Sequence, residues 1–155
     1  MLISRIGRLR AVRDEGAQSL VEFALVLPLF LLLVTGIFDV ARAVWQENTL
    51  AYSAREGTRY AIVHGSAGSP VVGPCTNCLN PVSNNLGYIV SAVTDSAVGV
   101  YGISVTIDYP DLDNQRNHRV TVDATAPFIP LPSQYLLGNA FQITLRGGSQ
   151  LVIQR

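Results

Sequence analysis

A single acidic residue, Glu22, stands at the head of the most apolar stretch of the chain. Residues 23–38 contain 16 positions without a charge, and the next charged side chain is Asp39. A carboxylate deep in a bilayer costs on the order of 2.5–3.5 kcal/mol and by default marks a functional position. The alternative is that Glu22 lies in the headgroup layer and has no role. The residue types and spacing leave both interpretations open.

The two cysteines, Cys75 and Cys78, form the second arrangement that could carry chemistry, a C-x-x-C motif. In a thioredoxin-like enzyme this motif opens a helix beside a parallel sheet, and that environment activates the thiolate. Here the flanking residues are Gly, Pro and Asn, and no βαβ pattern surrounds them. If the domain is exported, we expect a disulfide that staples a loop.

The remaining candidate ligands and bases do not form a recognisable site. His64 and His118 lack zinc-ligand spacing relative to the cysteines. The carboxylates that could attract calcium lack EF-hand spacing; they are Asp95, Asp108, Asp111, Asp113 and Asp123. We expect Asp111 and Asp113 to cap the backbone of their own turn, and His64 to interact with the carbonyls of a helix end. The sequence predicts no metal site, no cofactor and no catalytic constellation.

Length and charge narrow the class of protein. The 155 residues allow one modest domain beyond the apolar segment. Eleven basic residues, all of them Arg, balance eleven acidic ones. The absence of net charge gives no reason to expect a nucleic-acid partner.

The distribution of arginines predicts the orientation of the chain in a membrane. The basic residues before the apolar run are Arg5, Arg8, Arg10 and Arg13, whereas the next one after it is Arg42. The positive-inside rule places residues 1–17 in the cytoplasm as a leader and the C-terminal bulk outside. The apolar core is longer than that of a secretory signal peptide, and no small-x-small site follows it. We therefore expect a single-pass anchor in the inner (cytoplasmic) membrane, with residues 20–38 as its membrane part.

The helix should continue well past the membrane, over residues 18–64. Only Pro28, Gly36 and Gly57 oppose it, and Pro28 predicts a bend. A helix of this length spans about 69 Å, so its second half must bury its apolar stripe against protein. Ala54, Gly57 and Ala61 form a ridge of small residues that lets another element approach closely.

The outer domain, residues 65–155, predicts a helix followed by a small antiparallel sheet. Residues 65–85 are rich in Gly and Pro and predict a loop, and residues 86–97 predict a short helix. Apolar and polar residues alternate over 103–109 and 120–125, with a turn between them. Pro127, Pro130 and Pro132 should end that pairing, before a helical turn at 134–137 and a last strand that starts near Phe141. We expect that strand to bend at Gly147-Gly148 instead of turning back. The fold class is therefore α+β.

Two strings of residues near the N-terminus resemble a known family. The first is Asp14-Glu15-Gly16-Ala17-Gln18-Ser19-Leu20-Val21-Glu22-Phe23-Ala24-Leu25-Val26-Leu27-Pro28, and the second is Ala54-Arg55-Glu56-Gly57-Thr58-Arg59-Tyr60-Ala61. Together with Asp39-Val40-Ala41-Arg42-Ala43, they are similar to the TadE-like pseudopilins of the tight-adherence (Tad/Flp) pilus. The motif around Glu22 also resembles that of type IV-like prepilins. Residues 1–64 carry most of the likeness.

The resemblance implies a bacterial, non-catalytic pseudopilin or minor pilin with a pilin-like outer domain. A prepilin peptidase would remove the leader, and the subunit would join or prime a pilus together with other pilin subunits and the Tad inner-membrane machinery. Glutamate is usually the fifth mature residue in such pilins, which places cleavage between Ala17 and Gln18. The family more often has glycine before the cut, which would place it after Gly16. We favour Ala17, and we expect Glu22 and Phe23 to act in recognition and assembly.

Two other classes of function remain open. The chain could be a signal-anchored protein whose outer domain binds a ligand or surface and never enters a filament, in which case Met1 or Leu2 would remain at its N-terminus. It could also be a membrane-tethered redox enzyme, in which case Cys75→Ala would abolish thiol-disulfide exchange.

Overall fold

The computed structural model describes residues 15–136 and 141–155. It shows an α+β protein in which one long helix continues into a domain with an antiparallel sheet, as predicted. The elements in chain order are α1 (Glu15–Val63), β1 (Cys78–Leu79), α2 (Gly87–Ser96), β2 (Ser104–Asp108), β3 (Arg119–Phe128), α3 (Leu131–Leu136) and β4 (Ile143–Val152).

Helix α1 divides into an exposed first half and a second half that packs against the domain. Its 49 residues continue through Pro28, and its buried positions begin at Asp39 and Leu50. The ridge of small residues faces the domain as predicted, because Ala54 and Ala61 are fully buried. A methyl group at Gly57 would collide with the side chain of Val93 in α2. The small residues therefore set how closely α1 and α2 approach.

The sheet has the strand order β1-β2-β3-β4, and every neighbouring pair is antiparallel. Burial alternates along β2 and β3, so one face of the sheet contacts the helices and the other is partly solvated. The inward residues meet α1 and α2 in one core. Its fully buried members include Leu50, Ile89, Val93, Val105, Ile107, Tyr109, Val120, Val122 and Ile153.

Two details of the predicted sheet were wrong. The loop over residues 65–85 contains the two-residue strand β1, in which Cys78 pairs with Ile107. Strand β3 does not end before Pro127, because Pro127 pairs with Thr144 of β4. The pairing of β2 with β3 stops at Thr125, so residues 126–128 have a strand on one side only. Proline, which lacks an N–H donor, is tolerated at such an edge.

Strand β4 runs without interruption through Gly147 and Gly148, so the prediction of one strand was right and a turn is excluded. The short helix predicted at residues 86–97 is α2. The helical turn predicted at 134–137 is α3, but it begins earlier, at Leu131. His64 bonds through Nδ1 to the carbonyl oxygen of Tyr60 at 2.8 Å, which is the helix-end interaction expected from its position.

Candidate functional site

Glu22 lies on the exposed surface of α1, one helical turn after Gln18. The Gln18 side-chain amide donates a hydrogen bond to Glu22 Oε1 at 3.2 Å. The backbone of Gly16 and Ala17 belongs to the first turn of α1, whereas residues 1–14 of the predicted leader lie outside the described residues. The candidate cleavage positions and the candidate assembly residues therefore share the first three turns of one helix.

The apolar surface that follows Glu22 has no cover within the chain. None of the 18 most apolar residues of α1 is buried, and the helix is long and apolar enough to cross a membrane. Phe23 is 63% exposed, and Leu25 is 74% exposed. A continuous apolar surface of this extent marks contact with a membrane or with another protein.

The charges that end the apolar run are held by the domain. Asp39 is buried, and its Oδ1 lies 3.0 Å from Nη1 of Arg42, as the i, i+3 spacing favours. Its other oxygen, Oδ2, accepts a hydrogen bond at 2.8 Å from the backbone nitrogen of Leu131 in α3. The Arg42 guanidinium lies 5.3 Å from the centre of the Phe128 ring. These contacts attach the end of the apolar half of α1 to Phe128 and Leu131 of the domain.

Cys75 and Cys78 are joined by a disulfide with their Cα atoms 6.1 Å apart. The Tyr109 N–H donates to the Cys75 carbonyl, and the nearby Val72 N–H donates to the carbonyl of His64 at the end of α1. His64 is 42 residues after Glu22, about 63 Å along a helix. The structure therefore does not bring the cysteines together with Glu22.

The perturbed titratable groups lie in the sheet and in the connection between β2 and β3. Hydrogen bonds from the Arg119 side chain and backbone lower the pKa of Asp111 from 3.8 to about 2. Burial raises the pKa of Tyr109 from 10.0 to about 12, and its hydroxyl donates to the Val72 carbonyl. Hydrogen bonds to Asp123 raise the pKa of Arg146. Among the described residues, no group of three or more His, Cys, Asp or Glu side chains could hold a metal ion. The perturbed groups belong to pairs and contacts that hold the domain together.

The sequence did not predict the contact between Asp39 and α3. The residues Pro130-Leu131-Pro132 were expected to form an extended segment after the sheet. Instead α3 starts at Leu131 and lies beside the apolar half of α1, where Leu31, Leu32 and Thr35 line a groove between the two helices. The only sequence signal was the clustering of apolar residues with prolines, which does not indicate a partner 92 positions earlier.

Residues 17–59 match the family model described as TadE-like protein. No curated protein and no solved structure matches the chain. The matched residues include Glu22, Phe23, Asp39 and Arg42, whereas the sheet lies outside the match. The resemblance predicted from the N-terminal residues is therefore confirmed: over residues 17–59 the chain is similar to the TadE-like family.

Proposed function

We propose that this protein is a non-catalytic pseudopilin or minor pilin that a prepilin peptidase processes and that acts in the assembly of a tight-adherence pilus. One observation carries the proposal: Glu22 heads an apolar helix whose surface is uncovered, inside the segment that matches the TadE-like model. Such a helix needs lipid before assembly and neighbouring helices afterwards. A filament subunit requires both states.

The role of Glu22 follows from the cost of a charge in an apolar environment. In the uncut chain its carboxylate is hydrogen-bonded to the neutral amide of Gln18, which does not compensate a negative charge. Cleavage before Gln18 creates an α-amino group about one turn away, and the same group exists on every neighbouring subunit. Pairing the Glu22 carboxylate with a neighbour's amine offsets two costly charges and specifies the axial stagger between helices.

The position of the cut is compatible with the local structure. Gly16, Ala17 and Gln18 lie in the first turn of α1, where backbone N–H groups have no partner within the helix. Helix ends fray, so a peptidase can extend this turn at small cost. We favour cleavage after Ala17, which makes Glu22 the fifth residue of the mature chain.

The mature N-terminus is the first experiment. N-terminal sequencing of the protein purified from membranes of pilus-producing cells should give Gln18 as the first residue, or Ala17 if the cut follows Gly16. Retention of Met1 or Leu2 would contradict the proposal and favour a signal-anchored binding protein.

The second experiment tests the pairing itself. Glu22→Gln should leave the level of membrane protein unchanged and abolish incorporation into sheared pilus material. Glu47→Gln is the matched control, because it makes the same change at an exposed position of α1 beyond the apolar run. Normal incorporation of the Glu22→Gln protein would rule out the pairing role.

A further inference from the structure

Helix α3 lies beside the apolar half of α1, and a groove separates the two helices. The groove has a volume of about 450 Å³. Its walls include Leu31, Leu32 and Thr35 of α1 and Leu131, Pro132 and Tyr135 of α3. The Thr35 hydroxyl is bonded to the carbonyls of Leu31 and Leu32, at 2.9 and 3.0 Å. The lining is therefore apolar, and the threonine hydroxyl is already satisfied within its own helix.

The position of the groove along α1 gives its depth in a membrane. Leu31 is eight residues past Phe23 and Thr35 is twelve, which places them about 12 and 18 Å into the apolar run. The hydrocarbon core of a bilayer is about 30 Å thick. If α1 spans a membrane, the groove and the side chains of α3 that line it lie within the hydrocarbon.

The polar backbone at the start of α3 has the partner that this depth requires. The first N–H groups of a helix have no intrahelical acceptor, and an unsatisfied one in lipid costs several kcal/mol. The N–H of Leu131 donates to Asp39 Oδ2 at 2.8 Å, and the N–H of Gln134 donates to the carbonyl of Pro130 at 2.9 Å. Asp39 is in turn paired with Arg42, one turn farther from the apolar run.

Aromatic side chains are exposed just above this level. Trp45 lies seven residues past Phe38, about 10 Å along the helix, and is 53% exposed. The loop between α2 and β2 reaches it: a methyl group at Gly99 would lie 2.9 Å from Cη2 of Trp45. Tyr101 of the same loop is 85% exposed. Exposed Trp and Tyr residues at this height are typical of a membrane–water interface.

We propose that α3 is embedded in the outer half of the bilayer, that a lipid acyl chain fills the groove between α3 and α1, and that Trp45 and Tyr101 lie at headgroup level. The groove is continuous with the uncovered apolar surface of α1, which favours lipid as its occupant. The proposal rests on the membrane insertion of α1 stated above. The sequence predicted that all of residues 65–155 lie outside the membrane. In this proposal α3 lies within it, and the rest of the domain contacts the membrane surface.

Trp45 is the only tryptophan in the chain, so Trp45→Phe provides a background for placed probes. In that background, Tyr135→Trp reports on α3, Phe30→Trp reports on the insertion of α1, and Tyr88→Trp is the matched control. Tyr88 is half exposed on α2, and the centre of its ring lies 6.1 Å from that of Tyr60. Tyr60 is about 33 Å along α1 from Phe38, so Tyr88 lies far from the apolar run. Each full-length variant is placed in nanodiscs made of lipids with brominated acyl chains, first at one copy per nanodisc and then at increasing copy number.

The tryptophans of the Tyr135→Trp and Phe30→Trp proteins should lose fluorescence to a similar extent, relative to nanodiscs of unbrominated lipid, and the tryptophan of Tyr88→Trp should lose none. If Phe30→Trp is quenched and Tyr135→Trp behaves like Tyr88→Trp, α3 is outside the membrane and this inference fails while insertion of α1 stands. If the fluorescence of Phe30→Trp is also unquenched, this inference and the membrane insertion of α1 both fail. The last outcome concerns copy number. If the Tyr135→Trp fluorescence is no longer quenched at several copies per nanodisc, while that of Phe30→Trp still is, a second copy of the chain fills the groove and lipid does not.

Discussion

Gly147 in β4 lies directly against the backbone of Ala51 in α1, with no room for a side chain between them. A methyl group at Gly147 would collide with the Ala51 nitrogen and with the Leu50 carbonyl carbon. The adjacent Gly148 faces the opposite way, toward the Asp123 carboxylate. The close approach of β4 to α1 therefore depends on Gly147 and not on Gly148.

Gly147→Ala should destabilise the domain strongly, because neither backbone can move without displacing the other. We expect a loss of about 3 kcal/mol or more in the free energy of unfolding, at or beyond the upper end for overpacking a core. Gly148→Ala is the matched control and should cost at most about 1 kcal/mol, since the Asp123 side chain can swing away and its ion pair with Arg146 is exposed. Denaturant unfolding of the full chain in detergent, followed by Trp45 fluorescence, measures both. Equal losses would contradict the close approach.

Removing the Asp39 side chain should release α3 from α1. Asp39→Ala leaves the Leu131 N–H without its acceptor, and we expect a cost of about 1.5–3 kcal/mol for a hydrogen bond to a charged group. Hydrogen exchange at the Leu131 amide should accelerate. Asp39→Asn is the control, because its side-chain oxygen can still accept the bond while the charge is lost. Unchanged exchange in Asp39→Ala would show that the bond does not hold the helix.

The ion pair between Asp111 and Arg119 should make stability depend on pH in the acid range. Because the folded-state pKa of Asp111 is about 2, below its ordinary value of 3.8, its contribution is present above about pH 4. That contribution is lost as the pH falls from about 4 to about 2. Asp111→Asn should flatten the loss of stability in this window, and Arg119→Gln should remove the same part of the profile. A wild-type slope retained in both variants would contradict the assignment.

Tyr109 should limit stability at alkaline pH. Burial raises its folded-state pKa from 10.0 to about 12, so the stability it contributes is complete below pH 10 and falls as the pH rises toward 12. Tyr109→Phe should remove this alkaline loss at a cost of about 0.5–1.5 kcal/mol near neutrality, since Asn114 still donates to the Val72 carbonyl.

Titration of tyrosinate absorbance measures the same group directly. Tyr109 should give an ionisation step near pH 12 in the wild type, and that step should be missing in Tyr109→Phe. Tyr101→Phe, which removes an exposed ring, should keep that step. A step near pH 12 that Tyr109→Phe leaves unchanged would rule out a buried Tyr109 hydroxyl as its source.

Local patterns were sufficient for the elements themselves. The uncharged run after Glu22 predicted the apolar half of α1. The ridge at Ala54, Gly57 and Ala61 and the alternation along β2 and β3 predicted which faces α1 and the sheet bury. These signals depend on neighbours within a few residues along the chain. For the same reason the strings at residues 14–28, 39–43 and 54–61 were enough to indicate the likeness to the TadE-like family.

Contacts between distant residues were decided by the tertiary structure. Pro127 belongs to β3 because β2 has already ended there, and β1 exists because Cys78 meets Ile107. The sequence predicts a bend at Gly147, whereas in the structure the missing side chain of Gly147 lets the backbone of α1 lie directly against β4. Helix α3 lies beside the apolar half of α1 because Asp39 accepts the Leu131 N–H across 92 positions. Periodicity specifies which face of an element is buried, but the identity of its neighbour depends on how all the buried faces pack into one core.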